Sequence, residues 1–107
     1  MIRGDLVTVA LQGSHGKPRP ALIVQGDIVS PTSHVAVLLL TSGAIDAPLL
    51  RVAIAASGET GLARPSFAML DRITTAPRAK VGAVIGHVDE ATMLEIGRRL
   101  MLLLGLA

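Results

Sequence analysis

Ala21-Leu22-Ile23-Val24-Gln25 and His34-Val35-Ala36-Val37-Leu38-Leu39-Leu40-Thr41 are two apolar runs separated by Gly26 to Ser33, a breaker cluster that contains Pro31. The shortness of the runs, their β-branched content and the turn residues between them predict two strands. The second run is apolar almost without interruption, the pattern of a strand covered on both faces. Toward the N-terminus, Asp5 to Leu11 gives another strand, and Gln12-Gly13-Ser14-His15-Gly16-Lys17-Pro18 reads as a flexible loop. Toward the C-terminus, Ser42 to Pro48 is a loop and Leu50 to Ala55 a fourth strand. Gly58 to Pro65 is a connection punctuated by Gly and Pro, and Ser66 to Thr74 is a fifth strand with Asp71 and Arg72 in its middle. After Pro77 and a short bend, Gly82 to Gly86 forms a last short strand.

The periodicity then changes. Asp89 is suited to cap a helix N-terminus, Val88 and Met93 occupy the positions of a hydrophobic staple, and Gly105 follows the last apolar stretch as a stop. These signals predict a helix over Glu90 to Leu104, with Arg98 and Arg99 in its later turns. Met93, Ile96, Leu100, Leu103 and Leu104 make one apolar stripe, which Leu94, Met101 and Leu102 widen beyond a single face. The helix is therefore expected to cover the strands and to meet a second surface, most simply in a symmetric homodimer. Without a repeat, a low-complexity tract or a linker, residues 1–107 read as one α+β domain: a small antiparallel barrel closed or plugged by the helix.

Half of the 107 residues are apolar and 17% are charged, enough for a core without staples, and there is no Cys. That removes disulfides, thiolate metal sites and thiol nucleophiles, and fits a reducing compartment. Met1-Ile2-Arg3-Gly4-Asp5 turns polar at once, unlike a signal peptide, and the longest apolar runs fall far short of the ~20 residues of a membrane-spanning helix. A soluble cytoplasmic protein is expected. The net charge of +2 is a weak field, yet Lys17, Arg19, Arg64, Arg72, Arg78 and Lys80 all fall in loops or at strand ends, where they can gather into a patch. Phe67 is the only aromatic residue, so nucleic acid would be held by charge and hydrogen bonds rather than by stacking.

Phosphate loops, dinucleotide fingerprints and paired His at helical spacing are absent, and Asp71, Asp89, Glu90 and Glu95 lack ligand spacing, so neither a metal nor a cofactor is expected. His34 and His87 are expected to be structural, hydrogen-bonded and partly buried. His15 stands near Lys17 and Arg19, either as an exposed loop residue or as an imidazole that titrates beside an anionic substrate. Gly16-Lys17-Pro18-Arg19-Pro20 is the most informative stretch for chemistry, because two prolines fix the backbone around Arg19 at a strand entry. A preorganised guanidinium suits a phosphodiester whose transition state accumulates charge. An ordinary solubilising loop Arg is an equal reading of the same residues.

With these residues in place, the whole chain resembles the PemK/MazF family of toxin ribonucleases from bacterial toxin-antitoxin systems. The marks are Arg3-Gly4-Asp5, Gly16-Lys17-Pro18-Arg19-Pro20-Ala21-Leu22-Ile23-Val24, Leu40-Thr41-Ser42, Gly61-Leu62 with Pro65-Ser66, and Asp71-Arg72-Ile73-Thr74-Thr75. They continue through Lys80-Val81-Gly82, Ile85-Gly86-His87-Val88 and Leu104-Gly105-Leu106. The resemblance implies an SH3-like barrel that dimerises, cuts single-stranded RNA such as mRNA without a metal, and is silenced by an antitoxin peptide lying across the active surface. It implies that Arg19 stabilises the scissile phosphate, that the Thr41 hydroxyl contacts the same phosphate, and that Asp71 takes the proton of the RNA 2′-hydroxyl. A salt bridge to a nearby Arg is the rival role for Asp71. Ser14, His15, Lys17, Ser42, Arg64 and Arg72 are the expected RNA-binding residues.

The chain departs from the family pattern in two places. The loop before Arg19 is short and carries His15 where relatives often have Glu-Gln, and Met69 stands where some relatives place an Arg as general acid. Arg19, His15 or Arg72 would then supply the proton. A CcdB-like gyrase poison and a barrel that binds RNA or protein without catalysis are the alternatives from other functional classes. The gyrase poison needs no Arg19–Thr41 pair, and the non-catalytic barrel should tolerate loss of Thr41.

Overall fold

The computed structural model describes residues 1–11, 17–29, 32–43 and 47–107. Strand β3 (His34–Thr41) has the bounds its apolar run predicts, and both of its faces are covered. Leu38 and Leu40 enter one cluster with Leu6, Leu22, Leu70 and Ile96, while Val35 and Val37 enter another with Val7, Val9, Ala21, Ile23 and Ala76. The other elements are β1 (Asp5–Val9), β2 (Arg19–Ile23), β4 (Arg51–Ile54), β5 (Ser66–Pro77), β6 (Val81–His87) and the helix α1 (Glu90–Leu103). All neighbouring strands pair antiparallel, in the order β4-β5-β3-β2-β1-β6. The fold is the expected α+β arrangement.

Closure differs from the expectation. The hydrogen-bonded sheet is open, with β4 and β6 as its edges. Instead of a β4–β6 ladder, the turn after β4 meets the end of β6: the His87 N–H donates to the Glu59 carbonyl at 2.9 Å. Thr60, buried at the centre of that turn, donates its hydroxyl to the Ala55 carbonyl at 2.8 Å. The seam depends on two glycines. Gly61 has φ +68°, and a Cβ there would lie 1.9 Å from the Ile85 carbonyl oxygen; a Cβ on Gly86 would lie 2.3 Å from the Glu59 carbonyl oxygen and from Thr60 backbone atoms. Backbone atoms cannot swing aside, so Gly86→Ala is expected to destabilise the protein by about 1–3 kcal/mol. Thermal melting should show a fall of roughly 4–8 °C for each kcal/mol lost. Gly58→Ala, where nothing lies within 4 Å of the added Cβ, is the control and should melt within a degree or two of the parent.

Five strands differ in bounds from the sequence reading, β4 and β6 by one residue at each end and the other three by more. β1 stops at Val9, and β2 begins at Arg19 because Arg19 pairs with Val9 and Pro20 with Thr8. β5 runs past Thr74 to Pro77, since Ile73 to Pro77 pair with Leu38 to His34. Between Leu38 and Leu40 the β3–β5 register shifts, so Met69 to Arg72 bulge away from β3. A bulge re-aims the side chains it carries, and here those include Asp71 and Arg72.

The helix starts as predicted. Asp89 Oδ1 accepts from the Thr92 N–H at 2.8 Å. Hydrogen bonding from the Thr92 side chain, and secondarily from its backbone, holds the Asp89 carboxyl below the usual carboxylate range. The cap is therefore fully formed above that range and weakens only as the pH falls through the lowered value. Val88 is buried and Met93 packs against the same cluster, which completes the staple. At the other end Gly105 has φ +73° and donates to Leu102, while the Leu106 N–H donates to Met101 at 2.7 Å, a Schellman ending. The stripe itself is shorter than predicted. Ile96 and Leu100 are buried, but Leu103 and Leu104 are exposed along with Leu94, Met101 and Leu102, because the core against β4 and β5 ends at Leu100.

Candidate active site

The bulge in β5, the start of β2 and the end of β3 enclose a groove of about 990 Å³. Ala21 of β2 pairs with Leu39 of β3. Continuing that register by two residues sets Arg19 opposite Thr41, and both line the groove together with Ser42, Arg64, Asp71 and Arg72. Two strands far apart in sequence thus bring the Arg and the hydroxyl together, and a third brings the carboxylate.

Each group is prepared differently. Arg19, Arg64 and Arg72 are exposed, and none has an ion pair among the described residues. The Thr41 hydroxyl oxygen accepts from the Gly43 N–H at 3.1 Å, which orients it and leaves its own proton to be donated into the groove. Asp71 Oδ1 accepts from Arg51 Nη1 at 2.5 Å while its side chain stays 38% exposed. The salt bridge anticipated as a rival role for Asp71 is therefore present, and Asp71 faces the groove nonetheless. With its one carboxylate charge matched by Arg51, the groove carries three uncompensated guanidinium groups. A surface with this charge attracts polyanions and holds phosphates by paired N–H bonds.

Not every expected residue is part of the groove. Lys17 is exposed but does not line it, and Ser14 and His15 lie outside the described residues. Arg78 and Lys80 are at the β5–β6 turn, where Arg78 Nε donates to the Thr32 carbonyl, so the basic patch gathers three of the six residues that might have formed it. His34 and His87 are exposed rather than partly buried; His34 Nδ1 shares a 3.0 Å hydrogen bond with Ser33, and both rings sit at strand ends that the core does not reach. Among the described residues, no three His, Cys, Asp or Glu gather as a metal-binding group. No helix there is long and apolar enough to cross a membrane.

One residue of the site was not singled out in the sequence. Arg51 is the first residue of β4, directly opposite Met69, and its guanidinium reaches Asp71. The signal was its place in the alternation Arg51-Val52-Ala53-Ile54, which turns Val52 and Ile54 to the core and Arg51 to the other face.

The order of strands, the helix and the groove can be compared with known proteins. The family model described as PemK-like, MazF-like toxin of type II toxin-antitoxin system matches residues 2–104. The chain belongs to this toxin family. A curated relative of the toxin, the probable endoribonuclease MazF of Mycolicibacterium smegmatis (strain ATCC 700084 / mc(2)155), is 42% identical over 108 residues, covering 100% of this chain and 99% of the relative. Among solved structures, an endoribonuclease in complex with its cognate antitoxin from a mycobacterial species is similar, with a TM-score of 0.82 and 28% identity over 100% of the toxin and 97% of that chain. The Mycobacterium tuberculosis toxin MazF-mt6 shares the fold, with a TM-score of 0.81 and 23% identity over 96% of this chain and 98% of that one.

Proposed function

We propose that this toxin is an endoribonuclease that cleaves single-stranded RNA, mRNA included, by using the RNA's own 2′-hydroxyl as nucleophile, with no metal ion. The observation that carries the reading is one groove lined by guanidinium groups that have no ion pair among the described residues, an oriented hydroxyl and a carboxylate. In the reaction the 2′-hydroxyl proton passes to Asp71, the 2′ oxygen attacks phosphorus, and the bond from phosphorus to the 5′ oxygen breaks. The leaving oxygen takes a proton from Arg19, His15 or Arg72. Arg19 and Thr41 bind the phosphoryl oxygens as charge builds on them, the point at which fixed donors lower the barrier most. Arg64, Arg72, Ser42 and Lys17, with Ser14 and His15, hold the flanking RNA. A gyrase poison would make no use of this pairing of Arg19 and Thr41.

The functional unit in this reading is one domain over residues 1–107, acting in the cytoplasm as a homodimer and held silent by a cognate antitoxin. The dimer is supported by the helix. Leu94, Met101, Leu102, Leu103, Leu104 and Leu106, on the helix and the turn after it, are 41–69% exposed, apolar surface whose burial against a second copy would be favourable. Light scattering at micromolar concentration is expected to give twice the chain mass, and a monomer would remove this role for the helix. The catalytic reading is tested by incubating the purified toxin with a long mRNA in EDTA: cuts at a recurring short sequence are expected, and intact RNA would contradict it.

A further inference from the structure

Arg51 is the least accessible charge near the groove. Its side chain is 10% exposed, its Nη1 donates to the Leu50 carbonyl at 3.0 Å and to Asp71 Oδ1 at 2.5 Å, and its Nε is buried with no hydrogen-bond partner among the described residues. Such a group does little for stability. A Met at position 51 would pack beside Met69 with no charge to desolvate and no orphaned donor, and buried ion pairs are often replaced by apolar residues at no loss. What Arg51 supplies, and Met would not, is a fixed grip on one oxygen of Asp71.

That grip is itself well anchored. Arg99 of α1 donates from Nη1 to the Pro48 carbonyl at 2.7 Å and to the Arg51 carbonyl at 3.1 Å, and Glu95 holds Arg99 Nε at 2.9 Å. The helix therefore fixes the backbone from which Arg51 reaches forward. Asp71, by contrast, lies on the bulge, where β3 gives it no ladder partner. Its only partner among the described residues is Arg51, which engages Oδ1; Oδ2 has no hydrogen bond among them.

We propose that Arg51 is a positioning residue for RNA cleavage: it holds Asp71 Oδ1 from behind the groove, so that Oδ2 is presented to the RNA 2′-hydroxyl. The inference rests on the reading of Asp71 as the base. Arg51 itself does not line the groove, so in this reading it acts through Asp71 alone.

The test compares Asp71→Asn, Arg51→Met, Arg51→Lys and the double variant Arg51→Met/Asp71→Asn in cleavage of an RNA oligonucleotide carrying one mapped cut site. Asp71→Asn is expected to lower kcat on the order of a hundredfold, the scale of a lost general base. Arg51→Met is expected to lower kcat by about tenfold or more with KM changed less than about threefold, because a misplaced base affects chemistry rather than binding. Arg51→Lys, which keeps the charge but not the fork, should recover part of the loss. The double variant should match Asp71→Asn within about threefold, since a residue that acts only through Asp71 has nothing left to position. Arg51→Met at the parent rate beside an impaired Asp71→Asn overturns the proposal. So does a double variant slowed by the full product of the two single effects. If Asp71→Asn itself cleaves at the parent rate, the reading of Asp71 as base fails, and this inference fails with it. Should Arg51→Met melt early, Arg51→Gln, which stays polar but is too short and uncharged to hold Asp71, decides in its place: kcat equal to the parent contradicts the positioning role.

Discussion

An RNA with a single 2′-deoxynucleotide just before the scissile phosphate is expected to resist the toxin by more than about a thousandfold, because the nucleophile itself has been removed. The 2′ oxygen is already bonded to the ribose beside the phosphate, so the protein need only take its proton and stabilise the charge. Those are the tasks proposed for Asp71 and the Arg19–Thr41 pair, all three of which line one groove. Binding should barely change, since the deoxy substitution leaves intact every phosphate proposed to meet Arg19, Arg64 and Arg72. The deoxy oligonucleotide should therefore compete with normal RNA at close to equal affinity while remaining whole. Efficient cutting of it would mean that water attacks, and the roles given to Asp71 and Arg19 would have to be redrawn.

Arg19→Ala is expected to lower the cleavage rate by about a hundredfold to a thousandfold, the effect of removing a preorganised donor from a developing oxyanion. The fold should hardly notice. Arg19 is exposed at the first position of β2 and makes no ion pair among the described residues, so its truncation should change stability by less than about 0.5 kcal/mol. Arg19→Lys should not restore the parent rate, because an ammonium cannot form two parallel bonds to a phosphate. Thr41→Ala should cost less, roughly tenfold, in line with the loss of one neutral hydrogen bond. A folded Arg19→Ala variant that cuts at the parent rate would remove Arg19 from the mechanism.

The parts of the fold that could be read in advance are those specified by neighbouring residues. β3 has the bounds of its apolar run, and α1 starts where Asp89 and the Val88–Met93 staple place it. Both depend on interactions a few residues apart. The open seam between β4 and β6 depends instead on how close Gly86 comes to Glu59 and Thr60, which are distant in sequence, and a glycine alone does not say which backbone approaches it. The extension of β5 to Pro77 likewise follows from pairing with β3 across a shifted register, which strand propensity does not encode.

The site divides along the same line. Arg19 stood out because Pro18 and Pro20 fix its backbone, and in the fold it lines one groove with Thr41 and Asp71. Arg51 did not stand out, since an Arg in an alternating strand looks like any solvent-facing residue until β4 is aligned with β5. The helix was read as too apolar for one surface, and the point at which it leaves the core, after Leu100, is not marked in the stripe, which runs on through Leu103 and Leu104.

The central claim is that the RNA cuts itself at a groove that supplies a base and fixed positive charge. The most direct measurement is mass spectrometry of the fragments produced when the toxin cleaves an RNA oligonucleotide in EDTA. The expected result is an upstream fragment ending in a 2′,3′-cyclic phosphate and a downstream fragment beginning with a 5′-hydroxyl. A downstream fragment beginning with a 5′-phosphate, or no cleavage until a divalent metal is restored, would contradict the account.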